Sequence, residues 1–357
     1  MKITIYWIPL ILFCLIACTG PRETAISLVQ RLEMARSYSS EISGDALLVW
    51  QSGKLLLEDY QNGYDSTKPH ILTESSMLLS GLRALYAAER GILSLHQPVS
   101  DVITEWQFDS LKSTITIARL LRHTSGLDPG SGNEVPGYTQ ALNAPVVDQP
   151  GTEFRYGPTG YQVFCALNSR LREEGKLGSP SEQIYNPLQI PGERWQAVSV
   201  SVEAHRSSLA ELQPRCFDGA HLTARELGRI GRLLLQDGSF GDMSIFNTVK
   251  PLLSPSAASP GFGLSVWLNT AVDTETDSLF LSRLPDEIMM LRGYNSERLI
   301  YDGAPADLYM AAGRYNQRLY VIPSLEMVIV RLGRANLTWS DAEFLARLLH
   351  GTTIKTP

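Results

Sequence analysis

The chain has 357 residues, 44% apolar and 19% charged, a globular balance and a length that allows a sizeable core. Its formal net charge is −6 and it has no basic run, which argues against a nucleic-acid partner, since phosphate binding needs clustered Lys and Arg. Lysine is scarce: seven in all, at 2, 54, 68, 112, 176, 250 and 355.

The first element is a targeting segment. Met1 and Lys2 precede ITIYWIPLILFCLI (3–16), almost wholly apolar but too short to span a bilayer comfortably as a mature helix. It ends LIAC at Leu15 to Cys18, which resembles a bacterial lipobox. That resemblance implies a signal peptide over 1–17, lipid on Cys18, and a short tether over 18–24; a plain cleaved signal peptide is the competing reading. The expected product is an exported bacterial lipoprotein, anchored to the membrane through Cys18 and facing the periplasm. Acyl chains contribute about 0.8 kcal/mol per buried methylene, so several of them anchor durably. No later segment is long and apolar enough to span a membrane.

Residues 25–37 carry helical apolar spacing at Ile26, Leu28, Val29, Leu32 and Met34. ALLVWQSGKLLLEDYQNG reads as a β-hairpin turning at Ser52-Gly53. A helix is expected from about 74 to 91, apolar all round and therefore internal, with Thr73 as N-cap and Gly91 as stop. A mixed, mostly helical region follows to about residue 250, and the last third turns β-rich in FGLSVWLN, QRLYVIPS and EMVIVRLG before a final helix at 339–350. The order predicts an α+β fold: an antiparallel sheet formed from both chain ends, flanked by helices, with a large mostly helical insertion. The single domain spans 25–357, with a sheet part over about 25–70 and 255–357 and a helical part over about 71–254.

Of four cysteines, Cys14 leaves with the signal and Cys18 takes the lipid. Cys165 and Cys216 remain, either as a disulfide permitted by an exported compartment or as two buried thiols. No Cys/His spacing suggests a metal site, and no cofactor is expected.

Several segments in chain order resemble the serine β-lactamase and penicillin-binding protein superfamily, in its branch of β-lactamase-related esterases and amidases. AERGILSLHQPVSDVITEW is similar to that family's segment after the catalytic helix, and TIARLLRHTSGL to its helix and H-T-S-G-L turn. PGTEFRYGPTGYQVF resembles its catalytic-tyrosine segment, and AAGRYNQRLYVIPSLEMVIVRLG its closing strand pair. The resemblance covers roughly 40–350 and implies acyl transfer. A Ser on the first turn of a buried helix attacks a carbonyl, and a Lys at i+3 on the same face takes its proton. A Tyr shuttles protons, a residue on the last strands helps hold a substrate carboxylate, and backbone N–H groups hold the oxyanion.

Counted back from Gly91, the Ser position falls on Glu74 and the Lys position on Met77. The tyrosine position keeps Tyr156, followed at 158 by Pro where the family often has Asn. The last-strand polar position falls at Ala311-Ala312-Gly313, where only Gly313 preserves a close backbone approach; Ala311, Gly313 and Arg314 are the expected pocket residues. A shifted register does not rescue the motif. The residues three before each lysine are Gln51, Asp65, Asp109, Glu173, Asn247 and Thr352, and Lys2 has none, so no S-x-x-K exists. Nor is there a G-x-S-x-G. Ser80 and Arg83 are the nearest mimic, but Arg stays protonated and is a poor acceptor. Ser75 and Ser76 sit beside the expected spot without a base.

Replacing Ser by Glu and Lys by Met moves the pocket about two charges toward negative; a Glu at a helix N-terminus is stabilised there by roughly 0.3–1 kcal/mol. Met77 fills the space of a Lys stem. Glu74, with no Lys beside it, is expected to accept a bond from Tyr156. The leading expectation is a catalytically inactive lipoprotein with a reshaped pocket for a small molecule or an envelope component. The alternative is a hydrolase of ester, amide or β-lactam bonds using Glu74 as base or nucleophile and Tyr156 as acid. A third reading is a relic whose pocket is filled. His123 reads as a turn residue, His205 and His221 as surface or core histidines, and Trp50, Trp195 and Trp267 as core fillers. Arg314 and Gln317 either line the pocket mouth or support the strands.

Overall fold

Two hairpins far apart in sequence build the central sheet. The computed structural model describes residues 26–354 apart from 132–133, 180, 192–194, 202–209 and 286–295. The expected signal, the Cys18 lipid site, the tether and His205 lie outside the described residues.

The first hairpin is β1 (Gly44–Gln51) and β2 (Lys54–Tyr60). Ser52 and Gly53 turn it with φ of +48° and +77°, the positive pair that a two-residue turn requires. The later strands are β3 (Trp267–Leu268), β4 (Tyr309–Gly313), β5 (Gln317–Ile322) and β6 (Met327–Gly333). Their order in the six-stranded sheet is β2-β1-β6-β5-β4-β3, with antiparallel neighbours throughout. The first strand therefore pairs with the last, as the expected sheet from both chain ends demands.

The helices that matter to the site are α1 (Leu28–Glu41), α2 (Met77–Glu89), α3 (Ile117–Leu121), α4 (Thr159–Glu173), α5 (Ala224–Leu235) and α6 (Asp341–His350). Strand alternation gives the sheet two apolar faces. On one, Trp50, Leu319 and Val328 meet α5, whose Gly228 and Gly231 leave no room for a side chain: a Cβ on Gly231 would lie 2.7 Å from Leu319 Cδ1. On the other, Arg318 and Tyr320 meet Asp341 of α6, which packs with α1. No described helix is long and apolar enough to cross a membrane.

The start of the buried helix differs from expectation. Residues Thr73–Ser76 form a 3-10 turn, and α2 begins only at Met77. Thr73 does not cap it. Its φ is +49°, and its hydroxyl bonds Leu72 O and Arg314 O, tying the turn to the end of β4. Gly91 does follow the helix with φ +66°. The middle region is also less helical than its composition suggests. Between α2 and α4 it runs through short turns, and residues 197–201 pair with 210–214 as a hairpin. Pro and Gly recur along 98–158 and interrupt any longer helix there.

Candidate active site

The stretch Thr73-Glu74-Ser75-Ser76 is polar, yet every one of its residues is buried. Burial of polar groups demands partners, and the neighbouring strands supply them. Ser75 Oγ donates to Gln317 O at 3.1 Å, and Ser76 Oγ accepts from the Ala220 N–H at 3.0 Å. The end of β4 lies directly against the turn. A Cβ added to Gly313 would sit 2.6 Å from Leu72 O and 2.8 Å from Ser75 N, so only glycine allows this approach.

Glu74 is gripped by the residue that follows Gly313. Its Oε2 accepts from the Arg314 backbone N–H at 2.7 Å, and its Oε1 lies 2.6 Å from Arg314 Nε. Arg314 Nη2 also donates to Asp218 at 3.2 Å, and Asp218 is held in turn by Arg215 through a fork of 2.9 and 2.5 Å. The four residues form an alternating chain of charges, Glu74–Arg314–Asp218–Arg215, that sums to zero. The carboxylates are almost fully buried, whereas the Arg314 side chain is 27% exposed. Burial pushes the Glu74 carboxyl above its ordinary value, and the bond and charge of Arg314 pull against that rise. For Arg314 burial opposes the charge, but the Glu74 and Asp218 carboxylates win and hold it above its ordinary value.

The expected bond from Tyr156 to Glu74 is not made; Arg314 takes both carboxylate oxygens instead. A charged guanidinium outcompetes a neutral phenol for a buried carboxylate. Tyr156 is placed by the HTSGL turn. His123, with φ +57°, accepts through its backbone O from the Arg155 N–H at 2.7 Å, and Thr124 O accepts from Gly151 N–H at 2.8 Å. That clamp delivers the half-buried Tyr156 ring to within 5.8 Å of Trp267 and 5.6 Å of Phe217. His123 thus acts through its backbone. Its ring is enclosed by Phe154, Tyr156, Tyr161, Phe217 and Phe262, and burial drives its pKa down to about 3.

Met77 is buried on the first turn of α2, and Ala311 is buried in β4. Cys165 of α4 and Cys216 form a disulfide, which resolves the two cysteine readings. Cys216 lies two residues before Asp218; its carbonyl accepts from Ser80 Oγ at 3.3 Å and its N–H donates to Gln162 at 2.9 Å. The hydroxyls near Glu74 are spent on backbone groups, and the lysines lie elsewhere: Lys112 on Leu142 O, Lys176 on Glu174. Gln317 faces inward, bonding Gly333 through both amide atoms, and so supports the strands. His221 bonds Gly219 O, and Trp195 stacks under Arg83.

The profile of the β-lactamase family matches residues 29–350. The chain belongs to the β-lactamase family. Solved structures agree on the fold. A provisionally assigned β-lactamase from Bacteroides dorei DSM 17855 is 16% identical, with a TM-score of 0.66 over 91% of this chain and 98% of that one. The hydrolase EstCE1, described as having promiscuous acyltransferase activity, is 15% identical at TM-score 0.65, covering 90% and 97%. A penicillin-binding protein homologue from Caulobacter crescentus is 14% identical at TM-score 0.63, covering 90% and 96%. No curated protein matches the chain significantly.

Within this β-lactamase fold, sequence reasoning named Glu74, Met77, Tyr156, Gly313 and Arg314, and the structure joins Glu74, Gly313 and Arg314 at one turn. It missed the pairing of Arg314 with Glu74, and it missed Asp218 and Arg215. A signal existed for both. A Glu at a buried helix start needs a cation, and Arg314 beside the close-approach glycine was the nearest candidate. RCFD places Arg215 and Asp218 three apart, beside a cysteine already singled out.

Proposed function

We propose that this protein is a catalytically inactive member of the β-lactamase family, a bacterial lipoprotein anchored through Cys18 that keeps the family pocket for binding rather than for acyl transfer. The observation that carries this reading is the Glu74–Arg314 contact, in which the residue at the expected nucleophile position is a carboxylate with one oxygen on the Arg314 backbone N–H and the other paired with its guanidinium. A carboxylate engaged at both oxygens is hindered as a nucleophile. Met77, at the base position, has no group that accepts a proton. Tyr156 remains, but proton shuttling needs a nucleophile to serve.

Arg314, one-quarter exposed, is the polar group that such a pocket offers to a ligand, and the half-buried Tyr156 ring, packed on Trp267 and Phe217, is its retained aromatic residue. The raised Glu74 carboxyl favours the second reading, a hydrolase with Glu74 as base, because a general base works best near the operating pH.

The test compares the native chain with a Glu74→Ser/Met77→Lys variant in turnover of a chromogenic ester. The reading expects turnover only in the variant. Turnover by the native chain that disappears in Glu74→Gln would establish the second reading. Native turnover that survives Glu74→Gln would place the chemistry on another residue.

A further inference from the structure

A cleft lies at the far end of the sheet from Glu74. The site occupies the end where Gly313, Gln317 and Gly333 meet. The cleft occupies the other end, where Met327 opens β6 opposite Ile322 and Gln51, and where α1 and α6 converge. Its volume is about 520 Å3, within the range of small-molecule pockets.

Its lining has a definite chemistry. Leu28 of α1, Met327 of β6 and Leu348 of α6 are among its apolar walls, and its basic residues are Arg31 and His350. No Asp or Glu stands among the described lining residues. Arg31 is the unusual member. Its Nη1 donates to Leu349 O, but its Nε is buried and has no hydrogen-bond partner among the described residues, nor does Arg31 pair with a described carboxylate. A buried donor left unmade costs about 1–3 kcal/mol, more for a charged group. An anion in the cleft would neutralise the guanidinium charge, which no described carboxylate meets. His350 donates through Nε2 to Gly303 O at 2.7 Å, which fixes its ring in the lining. Ile26 and Val29, at the start of α1, and Ile354, just beyond α6, are exposed apolar residues at this end of the molecule.

We propose that this cleft binds an amphiphilic anion: a single acyl or alkyl chain lying along Leu28, Met327 and Leu348, with a carboxylate or phosphate head on Arg31. The apolar walls select the chain, and the guanidinium, which no described carboxylate meets, selects the head. A free fatty acid and a single-chain phospholipid share this chemistry. The proposal is independent of whether the Glu74 site is active.

The experiment is calorimetric titration of the purified protein with dodecanoate, dodecyl phosphate and dodecanol, repeated with Arg31→Ala and with Leu28→Trp, whose indole fills the cleft. Thermal midpoints of both variants check that each is folded. Expected is saturable binding of one anion per chain, weakened about tenfold or more in Arg31→Ala and when the head is uncharged dodecanol. Loss of binding in Leu28→Trp is also expected. Tighter dodecanoate points to a fatty acid, and tighter dodecyl phosphate to a phospholipid. Equal affinity for dodecanol and dodecanoate, binding indifferent to both substitutions, or no saturable binding would overturn the proposal. Should Arg31→Ala fail to fold, the dodecanol comparison and Leu28→Trp decide the matter.

Discussion

Arg314 and Arg318 stand four residues apart, and each meets a buried carboxylate, yet the two pairs differ in kind. Arg318 is 1% exposed and Asp341 fully buried. Its Nε and Nη2 reach the carboxylate at 2.9 and 3.3 Å, its Nη1 donates to Gly313 O and Gln317 O, and Tyr320 adds its own bond to Asp341. Every group there is committed inside the protein. Arg314 also grips its carboxylate, but it remains 27% exposed and divides itself between Glu74 and Asp218. The closed pair is a structural rivet between sheet and α6. The half-open one stands at the turn before α2, and solvent or a ligand can reach its cation. The same ion chemistry serves stability when sealed and remains available for binding when one side is wet.

Removing the sealed partner should have the largest effect. Asp341→Ala leaves Arg318 buried without its carboxylate and is expected to cost about 3–5 kcal/mol in urea unfolding, or to prevent folding. A loss below 1 kcal/mol would erase the contrast. Next comes the disulfide that ties α4 to the segment carrying Asp218. Replacing Cys165 and Cys216 together by Ala is expected to cost about 2–4 kcal/mol. At the half-open pair, Glu74→Ala should cost about 1–3 kcal/mol, clearly less than Asp341→Ala, because the freed Arg314 keeps Asp218 and water.

Two pH dependences sharpen the comparison further. His123 is held neutral by burial down to about 3, whereas an unfolded histidine takes its proton near 6.5. Its contribution is therefore present at neutral pH and is lost as pH falls from about 6.5 toward 3, at roughly 1.4 kcal/mol per pH unit. His123→Phe should flatten that slope in acid unfolding curves. Glu74 titrates the other way. Its folded carboxyl is raised, so its contribution is fullest below the ordinary glutamate value and falls as pH rises through the folded one. The stability of the native chain relative to Glu74→Gln should decline over that rise. A rising difference would mean that Arg314 outweighs burial.

Much of the scaffold is legible in the sequence. The Ser52-Gly53 hairpin and the paired closing strands follow from alternation and turn chemistry. What sequence did not give was the cut between Ser76 and Met77, where a 3-10 turn replaces the first turn of helix. Periodicity is blind to it, because its cause is tertiary: Gly313 presses on Ser75, and Arg314 O takes the Thr73 hydroxyl. The site was half legible for the same reason. Glu74 and Met77 emerged by counting from Gly91, but the partner of Glu74 lies 240 positions away, and only the register of β4 brings it there. The disulfide was a possibility in sequence and a pairing only in space.

The most direct measurement is a double-mutant cycle on Glu74→Gln and Arg314→Gln, read by urea unfolding at pH 7. If these side chains fill the nucleophile position as a pair, the cycle should give a coupling of about 1–3 kcal/mol. Additivity within about 0.3 kcal/mol would contradict the account, leaving Glu74 free to act as a base or nucleophile.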